Sequence, residues 1–203
     1  MIRFEPYVGK KYISNDFKIL VLGESHYLNE TEFLAFINND ESVKHTTKNV
    51  VERYLNYKKG ISPNEKWMQT FTKFSNVLSE ESNLNQNSIE FWENIAFYNY
   101  VQCPTKAPRI SPNINEFKNS FESFVNVVNE LKPNIIYFWG HRLWNNFPKE
   151  LYKLKIINES RVHFLELQND IPFLVLPHPS SSKFNYNLLE GINNYKKIVT
   201  EYF

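Results

Sequence analysis

His178 stands between Pro177 and Pro179, and Ser180, Ser181, Ser182 and Lys183 follow at once. Proline fixes its own φ and restricts the residue before it, so an imidazole between two prolines is held rigidly. A fixed imidazole delivers a proton or a hydrogen bond in one direction. The serine hydroxyls and backbone N–H groups behind it suit a phosphate at a helix start. A second cluster is Gly23-Glu24-Ser25-His26-Tyr27, with a carboxylate, a hydroxyl, an imidazole and a phenol behind one glycine. Its plain alternative is a polar loop in which Glu24 caps a helix. A third is Asn99, in the otherwise apolar run Ile95–Tyr100. A buried amide is costly unless satisfied, so Asn99 must cap a neighbouring loop or meet a ligand with a donor and an acceptor on one edge. The proline-rich stretch after it carries Lys106 and Arg109, which meet a phosphate or lie in solvent. Gly140-His141-Arg142 reads as a strand-to-helix turn, whose two side chains either point at the ligand or, the favoured reading, merely begin the helix.

Each cluster follows a short apolar run: Lys18–Gly23, Ile95–Tyr100, Asn134–Trp139 and Phe173–Pro177. Such runs, rich in β-branched and aromatic residues, read as strands buried on both faces. Between and after them lie segments of helical spacing: Thr31–Asn38, Thr47–Tyr57, Lys66–Leu78, Ile114–Leu131 and Asn187–Tyr202. The stripe Phe117, Phe121, Phe124, Val125, Val128 and Leu131 is the clearest. Val162–Leu167 reads as a further short strand. The alternation predicts a three-layer α/β/α sandwich around a central, mainly parallel four-stranded sheet, as one domain over residues 1–203. Ligands of such sheets bind beyond the carboxyl ends of the strands, where all four clusters fall.

The bulk composition sets limits. There are 23 Lys plus Arg against 22 Asp plus Glu, a net charge of +1, which excludes a protein that coats nucleic acid by charge alone. A local strip from Arg142, Lys149, Lys153, Lys155, Arg161, Lys183, Lys196 and Lys197 remains open beside the reading of a mixed, solvated surface. Aromatic residues are 16% of the chain, and most must be core. The single cysteine, Cys103, precludes an internal disulfide and a four-cysteine cluster. A reducing, cytoplasmic location is expected. Residues 1–16 lack the apolar region of a secretory signal, and no run of about 18 apolar residues predicts a membrane span.

Taken in order, these clusters resemble the uracil-DNA glycosylase superfamily over about Lys18 to Tyr186. His178-Pro179-Ser180 resembles the family's His-Pro-Ser loop, and Phe184-Asn185 behind it resembles the single-strand-selective branch. Asn99-Tyr100-Val101-Gln102-Cys103-Pro104 with Arg109-Ile110-Ser111-Pro112, and Leu131 through Gly140, resemble the iron–sulfur branch. Glu24 matches that branch's glutamate, but its other three cluster cysteines are absent. Tyr27 matches the tyrosine of the classical branch, whose catalytic aspartate is Ser25 here, and His26 stands where most branches have proline.

The resemblance implies a DNA glycosylase that flips out a damaged base, uracil or a related deaminated base, and hydrolyses its N-glycosidic bond. It implies His178 and Glu24 as catalytic residues, and Gly23, Ser25, Tyr27 and Asn99 around the base. Ser180, Ser181, Lys183 and Arg109 would contact DNA phosphates. Ser182, Lys183 and Phe184 would fill the gap left in the stack. DNA, single- or double-stranded, is the expected partner, for a monomer with no metal, organic cofactor, membrane or obligate protein partner. Two other readings stand beside it. One is an inactive superfamily member that binds nucleic acid or a nucleotide. The other is a Ser/His hydrolase using Ser25 or Ser180 with His178 or His26, although no Gly-x-Ser-x-Gly elbow is present.

Overall fold

The computed structural model describes residues 1–78, 84–105 and 110–202. In chain order the elements are β1 (Tyr7–Val8), β2 (Ile19–Gly23), α1 (Glu30–Ile37), α2 (Thr46–Lys58), α3 (Met68–Leu78), α4 (Leu84–Asn94), β3 (Ala96–Asn99), α5 (Ile114–Asn119), α6 (Phe121–Leu131), β4 (Ile135–Trp139), α7 (His141–Asn146), β5 (Tyr152–Ile157), β6 (Ser160–Glu166), β7 (Asp170–Leu176) and α8 (Leu189–Tyr202). Three of the four apolar runs contain a strand and the fourth, Phe173–Pro177, covers the end of β7, which begins at Asp170; these strands, β3, β2, β4 and β7, lie side by side and parallel.

The expected four-stranded sheet is only the centre of a mixed, seven-stranded one, in the order β1-β3-β2-β4-β7-β6-β5. Beyond β7 the hairpin β6–β5 continues the sheet antiparallel, and β1 adds an antiparallel edge against β3. The sequence hides these strands for physical reasons. β1 is two residues long, and β5 leaves the apolar side chains of Tyr152, Leu154 and Ile156 exposed, so neither reads as a buried run.

Period-2 alternation sends successive residues of the central strands to opposite faces. Val21, Phe97, Ile135, Tyr137 and Trp139 face one core, closed by residues of α2, α3, α4 and α8. Leu20, Leu22, Ala96, Tyr98, Ile136 and Phe138 face the other, under α6 and α7. The aromatic surplus is accounted for here. Phe71, Phe74, Trp92, Phe97 and Trp139 mesh in the first core, with Phe71–Trp92 and Phe74–Trp139 centroids both 4.9 Å apart. The Phe74–Trp139 pair is edge-to-face, an arrangement that adds about 0.5–1.5 kcal/mol beyond the buried area, and the Phe71–Trp92 pair is tilted.

The long stripe Ile114–Leu131 is two helices, not one. The chain breaks at Ser120, whose hydroxyl donates to Glu116 O at 2.7 Å and accepts the Gln102 N–H at 2.9 Å. A serine committed to a neighbouring loop interrupts the helical ladder. Capping boxes start α1 and α5: Asn29 with Glu32, and Asn113 with Glu116.

The register brings the strand ends level. Gly23 pairs with Asn99, Leu22 with Phe138, and Trp139 with Leu176. From β2 the chain leaves towards β3, and from β4 it leaves towards β7. The loops therefore diverge between β2 and β4, which opens a crevice at the topological switch point.

Candidate functional site at the strand ends

The loop after β2 turns inward. Its backbone stays paired with the loop after β3, through Tyr100 N to Gly23 O at 2.9 Å, Val101 N to Glu24 O at 2.8 Å and Thr105 N to His26 O at 2.8 Å. Gly23 is required here: a Cβ at this position would lie 2.1 Å from Asn99 Oδ1 and 2.9 Å from Phe97 Cζ. Gly23 therefore makes room for Asn99 rather than for a ligand.

Asn99 is buried, and its Nδ2 lies 3.2 Å from His26 Nδ1 and 3.1 Å from His26 Nε2. His26 Nε2 lies 2.9 Å from the Thr47 hydroxyl. The amide donates to the ring through Nδ2, and the Thr47 hydroxyl meets the ring at Nε2. Burial lowers the His26 pKa from 6.5 to about 3, so the ring is neutral. Gln102 locks the same corner. Its Oε1 accepts the Arg3 and Phe4 N–H groups at 2.8 and 2.9 Å, and its Nε2 donates to Asn99 O at 2.9 Å. The amide expected to read a base edge thus has one N–H committed to His26. Ser25 is half-buried in this loop, and Tyr27 is exposed with its backbone bridged to Thr105.

Glu24 points the other way, across the crevice. Arg142, the second residue of α7, grips it with two bonds: Nε to Oε2 at 2.7 Å and Nη2 to Oε1 at 2.5 Å. Arg142 Nη1 also donates to Ser111 Oγ at 2.9 Å. Arg142 was expected merely to begin a helix; it is the counter-ion of the candidate catalytic carboxylate. The side chain of Glu24 is 12% exposed and that of Arg142 53%, so the pair bridges the crevice rim with the carboxylate on the inner side. The two residues are 118 positions apart, and no local signal joins them.

The loop after β7 supplies the third member. Ser180 N donates to His178 Nδ1 at 3.2 Å, and Ser180 Oγ lies 2.7 Å from the same nitrogen. The ring packs edge-on to Trp139 at 5.9 Å and stands over Gly140, where a Cβ would meet His178 Cβ at 3.4 Å. Gly140 has φ +106°, a conformation that L side chains rarely adopt, so the backbone and not the space favours glycine there. His178 keeps a solvent-exposed edge. Its pKa is lowered from 6.5 chiefly by desolvation; Glu24 opposes the shift and Arg142 adds to it. Both charged residues of the crevice are thus felt at the imidazole.

The remaining candidates divide. Ser181 Oγ accepts the Lys183 N–H at 3.2 Å, and its carbonyl accepts Lys73 Nζ at 2.6 Å. Ser182 and Lys183 are exposed. Phe184, expected as a wedge, is fully buried and stacks on Phe74 at 5.7 Å, so it cannot enter a base stack without unpacking the core. Lys106 and Arg109, the expected phosphate contacts, lie outside the described residues. In the expected basic strip, Lys153 and Lys155 pair with Asp170, Lys197 with Glu201 and Arg142 with Glu24, so much of that surface is of mixed sign.

Among the described residues, no helix is long and apolar enough to cross a membrane, and no group of three or more His, Cys, Asp or Glu side chains converges on a possible metal position. No protein-family model and no curated protein matches the sequence.

Proposed function

We propose that this chain is a DNA glycosylase of the uracil-DNA glycosylase type, acting on a flipped-out uracil or related deaminated base. The observation that carries the reading is the state of His178. A backbone N–H can only donate, so Ser180 N fixes Nδ1 as an acceptor. A neutral imidazole with that tautomer carries its proton on Nε2, leaving one directed N–H on a ring that feels the Glu24 charge.

Those two groups match base excision. When the bond from C1′ to the base nitrogen breaks, its electron pair leaves with the base and the sugar becomes cationic. His178 Nε2–H donates a hydrogen bond to the carbonyl oxygen on which the negative charge collects. Glu24 faces the cationic sugar and orients a water; the water adds to C1′, and its released proton neutralises the base. Arg142 holds Glu24 in place. A donor preorganised for developing charge contributes about 2.7–4 kcal/mol to such a step. Because a neutral imidazole already acts as the donor, activity would hold above the lowered His178 pKa and fall as pH drops through it.

The test uses end-labelled oligonucleotides with one uracil, hypoxanthine or xanthine, single- and double-stranded, and alkali to reveal abasic sites. Excision that His178→Ala lowers about a hundredfold or more supports the reading. No excision from folded protein would shift it to a superfamily member that binds nucleic acid or a nucleotide without cutting.

One observation favours a hydrolase: Ser180 Oγ lies 2.7 Å from His178 Nδ1. The same nitrogen already takes the Ser180 N–H, however, so the contact is a local turn that leaves Nδ1 poorly placed as a base. Labelling of Ser180 by a fluorophosphonate would revive that reading.

A further inference from the structure

A groove of about 480 Å³ runs between α2, α3 and the segment that follows the His178 loop, and Tyr57, Asn64, Lys73, Asn76, Asn185 and Tyr186 line it. We infer that this groove is a second nucleic-acid site, which takes an unstacked nucleotide of the strand flanking the reaction centre. The inference rests on the glycosylase reading and names the part of the substrate that reading leaves unplaced.

The groove and the His178 loop are one bonded unit. Lys73 Nζ donates to Ser181 O at 2.6 Å, and Asn185 Nδ2 donates to Ser182 O at 3.2 Å. The lining chemistry suits a nucleotide. The amides of Asn64 and Gln69 present a donor and an acceptor side by side, as base edges require, while that of Asn185 is committed to Ser182 O and Asn187 N. Tyrosine rings offer a face for stacking, worth about 1–3 kcal/mol per base in single-strand binding. Tyr186 is 58% exposed, an aromatic surface that the fold itself does not use. The volume falls within the usual range for small-ligand sites, about 300–1,000 Å³.

Charge selects a strand over a free nucleotide. Lys73 is the only cation lining the groove among the described residues, and no carboxylate lines it. One lysine balances one phosphodiester, but not a di- or triphosphate. A second groove, of about 450 Å³ against the β1 edge, is different. Glu52 and Glu93 line it beside Lys10, Lys48 and Lys59, and Lys10 pairs with Glu93 and Lys48 with Glu52, each at 3.8 Å. Three lysines against two glutamates leave it the same formal charge of +1 as the first groove, so it is the internal control for charge alone.

The experiment is fluorescence anisotropy with a short fluorescein-labelled oligothymidylate at low salt, alongside excision from a uracil oligonucleotide. Tyr186→Ala should weaken strand binding about tenfold. Tyr186→Phe should retain it, Asn76→Ala should weaken it less, and Lys48→Ala should leave it unchanged. Tyr186 is exposed, and thermal melting checks that each variant folds. The inference is overturned if wild-type protein does not bind the strand, if Tyr186→Ala binds like wild type, if Lys48→Ala loses as much, or if thymidine monophosphate competes as well as the strand does. Strand binding lost in Tyr186→Ala, without any excision by wild type, would sink the glycosylase reading and leave the groove standing. Excision with unchanged binding in Tyr186→Ala would do the reverse.

Discussion

The loops after β2 and β7 each carry a histidine two or three residues past a parallel strand, and the two histidines end in opposite circumstances. His26 is buried, neutral, and held by both Thr47 and Asn99. His178 is pinned at Nδ1 by its own loop and keeps an exposed edge. The difference teaches that residue type alone does not make a site. A histidine with both nitrogens partnered inside the protein stabilises the fold, and one with a nitrogen left over can act on a ligand.

The sharpest way to break this comparison is to remove each ring in turn. His178→Ala should lower excision by on the order of 10²–10³-fold, read from abasic sites, with little change in the urea midpoint. His26→Ala should destabilise by about 2–4 kcal/mol in urea, because it opens a cavity and leaves Thr47 and Asn99 unsatisfied. Equal loss of stability in both variants would erase the distinction.

A somewhat smaller effect tests the inward loop directly. Gly23→Ala should cost about 1–3 kcal/mol, since its methyl would overlap Asn99 Oδ1. Wild-type stability would mean that Asn99 moves freely and remains available to a ligand.

Acid sharpens the contrast further. The folded His26 pKa of about 3 lies below the unfolded value of 6.5, so the unfolded chain binds the extra proton between these limits. His26 therefore favours folding fully above pH 6.5, and its contribution falls by up to about 1.4 kcal/mol per pH unit as pH drops towards 3. Urea unfolding across this range should show that slope in wild type and a shallower one in His26→Gln.

The smallest effects concern the outward loop and its charges. Arg142→Gln removes a positive charge that holds the His178 pKa down, so the pKa should rise towards its ordinary value. An NMR titration of the His178 ring proton reads this shift, and an unchanged value would separate the crevice charges from the imidazole. Lys183→Ala, on an exposed side chain, should change stability by no more than about 0.5 kcal/mol.

The sequence by itself determined the four central strands and the clusters at their carboxyl ends. Continuous apolar runs are the mark of strands buried on both faces, and a glycine or proline after the run marks the turn. It also placed His178 between two prolines, which restrict the backbone on both sides of it. The tertiary structure decided the rest. The pairing of Glu24 with Arg142 joins residues 118 apart, and the burial of Phe184 depends on Phe74, more than a hundred positions earlier. Asn99 looked the same in sequence whether it met a ligand or His26, because a buried amide demands a partner without naming it. The edge strands β1 and β5 and the break at Ser120 were likewise hidden, for they depend on neighbours brought in by the sheet. Local pattern fixes where a chain turns and which side chains stand at the turn; only the packed fold decides which of them are already partnered.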